Sequence, residues 1–213
     1  MSRRANARST KDSFSVHPSV AYIQAIIDNL PEKTGQSMKG WVELVRKQGP
    51  VADKQRQQWL KKEFKLGSTT AWIIVERAEG RANEDSDPEA YLRAAAGYVE
   101  AMYAGPKAAL RPIHDALLGL ARSLGADVKV CPCQTIVPLY RNHVFAQIKP
   151  STRTRIDFGL ALKGAKKRLA KRLIDTGGLA KGDRITHRIP ITSLNEIDSE
   201  VKEWLKIAYE LDA

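Results

Sequence analysis

The sequence has few cysteines and no long apolar run. Only two cysteines occur among 213 residues, and a single residue separates Cys131 from Cys133. Such a pair cannot staple a chain of this length, so we expect a reducing, cytoplasmic environment. The longest apolar runs are four or five residues, whereas a membrane-spanning helix needs about 20. We therefore expect no membrane partner.

Motifs of catalysis and cofactor binding are also missing. The sequence contains neither GxGxxG nor GxxxxGK, and it has no nucleophile elbow and no paired carboxylates. Cys131 and Cys133 could join His114 or His143 in a metal site, but their spacing is not that of structural zinc sites. Either cysteine could act as a nucleophile only with a nearby base such as His143, and no acid that would orient this histidine is evident. We therefore predict no cofactor and no metal, and we favour a non-enzymatic protein.

Positive charge is present in excess. The chain carries 35 Lys and Arg against 24 Asp and Glu, and 13 basic and three acidic residues between Arg141 and Arg188 give that window a net charge of +10. Such a surface attracts nucleic acid, anionic lipid or an acidic protein, although a charged face can also serve solubility alone. The densest part of the window is our candidate polyanion site: Lys166, Lys167, Arg168, Lys171 and Arg172.

The N-terminal part of the chain has the pattern of short amphipathic helices. Apolar residues recur at helical spacing between Tyr22 and Leu30, Ser37 is a suitable N-cap, and Gly67 is suited to a positive-φ helix stop. We predict a four-helix module over residues 17–78. Three of its helices each carry one tryptophan, and we expect these to be core residues: Trp41, Trp59 and Trp72.

Two further segments mark the domain organisation. Residues 1–16 are basic and lack an apolar stretch, so we predict a disordered leader there. Residues 79–88 are acidic, lack large apolar side chains and end in Pro88, which predicts a linker followed by a helix that Asp87 caps. The remaining residues, 89–213, form the second predicted domain.

The second domain combines helices with alternating strands. Two helices come first, and Pro112 should either kink the second helix or mark its true start. Short loops then favour antiparallel pairing, and a final helix covers about residues 195–211. We predict an α+β domain whose sheet has about four to five strands, including 135–140, 143–149, 155–162 and 184–191. The basic segment before the last strand is either a helix or a loop.

One face of the predicted sheet is a second candidate site. Arg155, Asp157, Thr186 and Arg188 share a face if their strands are neighbours, and arginines beside one aspartate could hold an anion. His187 falls on the apolar side of its strand, where a core or edge position is the ordinary interpretation. The candidate face also includes a possible stacking platform, formed by Tyr140 and Arg141. A solvated sheet face is the alternative.

Several segments carry a resemblance to known families. The early KTG and WLKKEFKLGSTTA segments resemble a small bacterial helical domain of unknown function. The later segments YAGPKAALRPIHDAL, FAQIKPSTRTRIDFGLAL and ITHRIPI resemble a second domain of unknown function, related to frataxin-like and YdhG-like α+β proteins. Together the resemblance covers about residues 18 to 211. It implies an uncharacterised two-domain bacterial protein, and relatives placed beside nuclease-like domains suggest a nucleic-acid role by analogy.

Three functions follow from these observations. We favour a non-enzymatic binding or adaptor protein whose basic C-terminal domain engages a polyanion such as nucleic acid. The alternative is an interaction module for another protein or a small ligand, with no nucleic-acid role. An enzyme is the third function, and it comes last because the sequence shows no complete set of nucleophile, base and stabilising group.

Overall fold

The computed structural model describes residues 14–81 and 83–213. These residues form two compact units, one of Val16–Leu92 and one of Arg93–Ala213 with residues 14 and 15. Most of the predicted leader lies outside the described residues, and the predicted domain boundaries at residues 78 and 88 stay predictions. Every helix among the described residues is too short or too polar to cross a lipid bilayer.

The first unit is helical, with five α-helices where the sequence predicted four. The extra helix arises because Pro31 lacks an N–H and cannot continue the preceding helix, so it begins a new one. The predicted cap Ser37 accepts a 3.3 Å hydrogen bond from the Gly40 N–H. The helices are α1 (Pro18–Asp28), α2 (Leu30–Thr34), α3 (Met38–Gln48), α4 (Asp53–Glu63) and α5 (Ser68–Ala78).

The core of this unit is mostly aliphatic, and the prediction of three core tryptophans holds for Trp41 alone. Trp41 is 4% exposed, Trp59 is half-buried and Trp72 is 37% exposed. The reason is that α4 and α5 turn aliphatic side chains inward, which leaves the adjacent tryptophans at the edge of the buried face. The buried cluster comprises Leu30, Trp41, Val45, Leu60, Ala71, Ile74, Val75 and Ala78.

The turn between α4 and α5 departs from the prediction for Gly67. Lys65 has a φ of 56° and is the one non-glycine residue with positive φ in the described chain, whereas Gly67 has a φ of −65° and precedes α5 as its N-cap. The left-handed residue is needed earlier because Leu66 must turn back onto the core, where it packs and where its N–H approaches the Leu60 carbonyl.

Three α-helices accompany the sheet of the second unit. Asp87 Oδ1 accepts hydrogen bonds from the N–H groups of Glu89 and Ala90, as predicted for the cap of the first of them. Pro112 lies in the first turn of the next helix and marks its start rather than a kink. The helices are α6 (Pro88–Met102), which begins in the first unit, α7 (Arg111–Arg122) and α8 (Ser199–Glu210).

The sheet is antiparallel throughout and has six strands in the order β1-β2-β3-β4-β6-β5. The predicted α+β class is therefore confirmed. Two strands of two residues each raise the count above the predicted four to five. The strands are β1 (Lys129–Val130), β2 (Val137–Tyr140), β3 (Val144–Pro150), β4 (Ile156–Leu160), β5 (Ile174–Asp175) and β6 (His187–Ile191).

Strand register separates a buried sheet face from a polar one. Phe158 pairs with Ile148 and Ile189, and these side chains belong to the buried cluster that α7 and α8 cover. The alternate residues of β4, Asp157 and Gly159, occupy the opposite face. We call that side the polar sheet face. It carries part of the second predicted site, whereas the candidate polyanion site lies on the segment that follows β4.

Candidate polyanion-binding surface

The basic segment after β4 is a loop, which decides between the two predicted alternatives. Residues 163–172, hereafter the basic loop, contain no α-helical or 3₁₀-helical residue. Leu162 is buried while Leu169 is 45% exposed, so the apolar seam that a helix would have required is not formed. The loop is bounded instead by Leu162, whose N–H donates to Thr186 Oγ1 at 3.1 Å, and by Leu173, which packs against the core.

Arg172 fixes the loop to the start of α8. Its guanidinium lies 2.6 Å from Asp198 Oδ2 and 3.3 Å from Glu200 Oε2, and it donates to the Glu196 carbonyl at 2.9 Å. The Val201 N–H, together with the Arg172 charge, lowers the pKa of Asp198, so that carboxylate stays ionised. Arg172 is therefore a structural anchor, and its charge is largely neutralised.

Lys167 is a second anchor. Its ammonium forms an ion pair with Glu203 and lies 5.5 Å from the centroid of the Trp204 ring. Both partners belong to α8, so this contact and that of Arg172 hold the loop to the same helix. Two of the five predicted polyanion-binding residues are thus occupied within the protein.

The other cations of the loop point to solvent. Among the residues that the structure describes, none of them forms an ion pair with an acid, and all are exposed. Their charges are therefore uncompensated and add up to +4 over nine residues. They are Lys163, Lys166, Arg168 and Lys171. Lys163 was not among the predicted polyanion residues, although it belongs to the same run of positive charge.

Three residues of the predicted anion face lie together on the sheet. Asp157 Oδ1 lies 2.9 Å from Arg155 Nε and 2.7 Å from Arg188 Nη1. Burial opposes ionisation of Asp157, but a hydrogen bond from Ser151 and the charges of Arg188 and Arg155 outweigh it, so the pKa of Asp157 is lowered. Asp157 thus forms ion pairs with both arginines, and an external anion would have to compete with its carboxylate for them.

The remaining residues of the predicted face are not brought to this ion pair. Thr186 is buried, with its hydroxyl engaged by Leu162 and by His187 Nδ1 at 2.9 Å. His187 is half-buried and pairs with Leu160 of the core side. Tyr140 ends β2, which β3 separates from β4. These three are therefore poorly placed to join Arg155, Asp157 and Arg188.

Arg141 is likewise held elsewhere. Its Nε donates to Asp127 at 2.8 Å, and its guanidinium lies 4.3 Å from the centroid of the Tyr209 ring. The hydrogen bonds from Tyr209 and Arg141 lower the pKa of Asp127. The Arg141 guanidinium therefore stacks on a tyrosine of α8, and the stacking platform of Tyr140 and Arg141 stays a prediction.

A polar cluster that the sequence did not predict joins β3 to the end of the chain. Asp212 is 4% exposed, accepts from the His143 N–H at 2.7 Å and lies 3.0 Å from His143 Nδ1. Arg184 donates to the same carboxylate at 2.7 Å. An acid that orients His143 is therefore present. No periodic signal could reveal it, because Asp212 follows the last turn of α8 and is 69 residues away in sequence.

The cysteines are poor nucleophiles as they stand. Burial raises the pKa of Cys131 to about 12, and it also raises the pKa of Cys133. Neither cysteine forms a disulfide bond. Across residues 14–81 and 83–213, no three His, Cys, Asp or Glu side chains group closely enough to hold a metal ion. The thiolate form that nucleophilic attack requires is therefore scarce near neutral pH.

Comparison with protein families assigns both parts of the chain. Residues 99–212 match the family described as Domain of unknown function (DUF5655). The chain belongs to the DUF5655 family. Residues 23–80 match a second family, Domain of unknown function (DUF4287), so the order of two uncharacterised domains agrees with the resemblance noted in the sequence. No curated protein and no solved structure matches the chain.

Proposed function

We propose that this DUF5655 protein is a non-enzymatic binding or adaptor protein whose basic loop engages a polyanion, chiefly nucleic acid. The observation that carries the proposal is the contrast within the loop. Lys167 and Arg172 are paired with acids of α8, whereas Lys163, Lys166, Arg168 and Lys171 are exposed without an acidic partner in the described residues. Anchored cations of one sign bind phosphates without reorganising.

The anchoring also assigns different roles to the five predicted residues. Lys166, Arg168 and Lys171 are the contacts to the polyanion, joined by Lys163, while Lys167 and Arg172 hold the loop in position. An acidic protein could use the same four charges, but a nucleic-acid backbone offers phosphates at the regular spacing that several cations along a short loop can follow.

The proposal extends to the setting of the protein. Two cysteines that form no disulfide suit a reducing compartment, so we infer a cytoplasmic location. The antiparallel sheet with helices on one face is compatible with the suggested relation to frataxin-like and YdhG-like bacterial proteins.

The test is the salt dependence of binding to a labelled DNA duplex, measured by fluorescence anisotropy. Four phosphate contacts give a slope of about −3.6 in log K against log salt concentration, or a loss of about 10²-fold between about 50 and 200 mM salt. The triple variant Lys166→Glu, Arg168→Glu, Lys171→Glu should retain a slope of about −1 at most, because one contact is left.

A matched control makes the same change of charge in the helical unit. Lys39, Lys61 and Lys62 are exposed lysines, and their replacement by glutamate should leave the slope near its original value. Equal loss of binding in both triple variants would mean that net charge alone is responsible. Absence of salt-dependent binding by the unmodified protein would remove the proposal altogether.

A further inference from the structure

The second unit contains a cavity of about 580 Å³ at the end of β3 that is separate from the basic loop. Its walls come from the end of α6, the turn Gly105–Leu110, the loop after β1 and the hairpin between β3 and β4. These include parts of the segments YAGPKAALRPIHDAL and FAQIKPSTRTRIDFGLAL. The polar side chains of the wall are Lys107, Gln134, Thr135, Lys149, Ser151 and Arg153.

The charge of this cavity has one sign. Three cations line it and no acid does. Lys149 and Arg153 are exposed, and within the described residues neither forms an ion pair or a side-chain hydrogen bond. Asp157 pairs with Lys149 across the strands, but its carboxylate is engaged by Arg155 and Arg188. The cavity therefore keeps its positive charge.

The wall around these cations is held by hydrogen bonds. Lys107 Nζ donates to the Pro150 carbonyl at 2.6 Å, which ties the turn before α7 to the end of β3 and leaves the ammonium two further donors. In the hairpin, the N–H groups of Ser151 and Thr152 both donate to the Arg155 carbonyl, at 3.1 and 3.3 Å. The Lys107 ammonium and the backbone of the hairpin are thus held in position before any ligand arrives, which reduces the entropic cost of binding.

The composition of the wall identifies the class of ligand. Two lysines are point-charge binders of phosphate, and an arginine adds bidentate hydrogen bonds. Hydroxyl and amide groups supply further donors, while Met102, Pro106 and Pro150 offer apolar surface to an organic body. The volume is in the range of small-molecule sites. We propose that this cavity binds a phosphate monoester on an organic group of nucleotide size.

Such a phosphate has two sources, a free mononucleotide-like molecule or the terminal phosphate of a nucleic acid. The site is distinct from the basic loop, so it does not depend on the proposed function. Titration with adenosine 5′-monophosphate, monitored by NMR on the full chain, should shift amide signals of residues around the cavity. Adenosine, which lacks the phosphate, should bind at least about tenfold more weakly, the effect of losing one charge-assisted hydrogen bond.

Two single substitutions test whether Lys149 and Arg153 contact the phosphate. Lys149→Gln and Arg153→Gln should each weaken adenosine 5′-monophosphate binding by about tenfold, and Arg153→Lys should restore part of it. Both side chains are exposed and free of ion pairs in the described residues, so the fold should persist. Lys202→Gln is the matched control, since Lys202 is an exposed lysine of α8 outside the cavity wall, and it should bind as the unmodified protein does.

The outcomes distinguish a free mononucleotide from a nucleic-acid end as the ligand, and they distinguish the cavity proposal from the basic-loop proposal. A 5′-phosphorylated oligonucleotide that binds better than its 5′-hydroxyl form, through Lys149 and Arg153, would identify a nucleic-acid end as the ligand. Preference for the mononucleotide alone would identify a free molecule. Equal affinity for adenosine and its monophosphate, or no effect of either glutamine variant, would overturn the inference. The basic-loop triple variant should keep mononucleotide binding, so failure of one proposal is distinguishable from failure of the other.

Discussion

Acidification should destabilise the second unit through His114. This imidazole is 1% exposed, and its Nδ1 lies 3.0 Å from the hydroxyl of Tyr103. Burial lowers the pKa of His114 from 6.5 to about 4, although the charge of Asp115 opposes this shift. The folded unit therefore keeps His114 neutral over a pH range in which the unfolded chain has already bound a proton there.

The size of the effect follows from the two pKa values. Between pH 6.5 and about 4 the unfolded state binds more protons, so the free energy of unfolding falls as the pH falls. The full stability is present above pH 6.5, and the loss ends near pH 4, where the folded form is protonated too. A difference of about 2.5 in pKa, at 1.36 kcal/mol per unit, corresponds to a loss of about 3 kcal/mol.

Amide hydrogen exchange of α7 peptides at about pH 7 and about pH 4.5, corrected for intrinsic rates, measures this loss. His114→Gln keeps a hydrogen-bonding partner for the Tyr103 hydroxyl but does not titrate, so it should lose most of the pH dependence contributed by this site. Tyr103→Phe is the control: it should lower stability by about 1 kcal/mol while keeping the slope, because the imidazole remains. The same slope in the unmodified protein and in His114→Gln would refute the reasoning.

Two further changes test local structure in the two units. Arg172→Ala removes the contacts to Asp198 and Glu200 and should lower the free energy of unfolding by only about 1 kcal/mol, because these ion pairs are partly exposed. Trypsin should also cut the basic loop of this variant faster. An unchanged cleavage rate would contradict the anchoring role of Arg172. Lys65→Gly should raise the urea midpoint by the equivalent of about 1 kcal/mol, since φ is positive there. Gln58→Gly, at an exposed position in the middle of α4, should lower it by about the same amount, and destabilisation by both variants would argue against strain at Lys65.

The periodic elements of the fold could be predicted from the sequence because their own residues determine them. The alternation in β3, β4 and β6 and the apolar face of α8 gave the α+β class. By contrast, β1 and β5 have two residues each, too few for a pattern, and they exist because a longer neighbour offers hydrogen bonds.

The candidate sites were harder to predict because they depend on contacts between distant residues. Charge density identified the basic loop, yet the separation of anchors from free cations depends on α8, which supplies Glu203 and Asp198. The spacing of the leucines in that segment was compatible with a helix as well as with a loop. Lys107 and Arg153 were missed as partners because their cavity is assembled from four separate segments of the chain.

The contact between Lys167 and Trp204 offers a way to observe the basic loop directly. Trp204 is the only tryptophan beyond residue 72, and its ring lies 5.5 Å from the Lys167 ammonium. Fluorotryptophan incorporation would therefore give one fluorine resonance next to the loop and three within the helical unit. A polyanion that settles on the loop should move the first signal selectively, while the other three serve as references inside the same molecule.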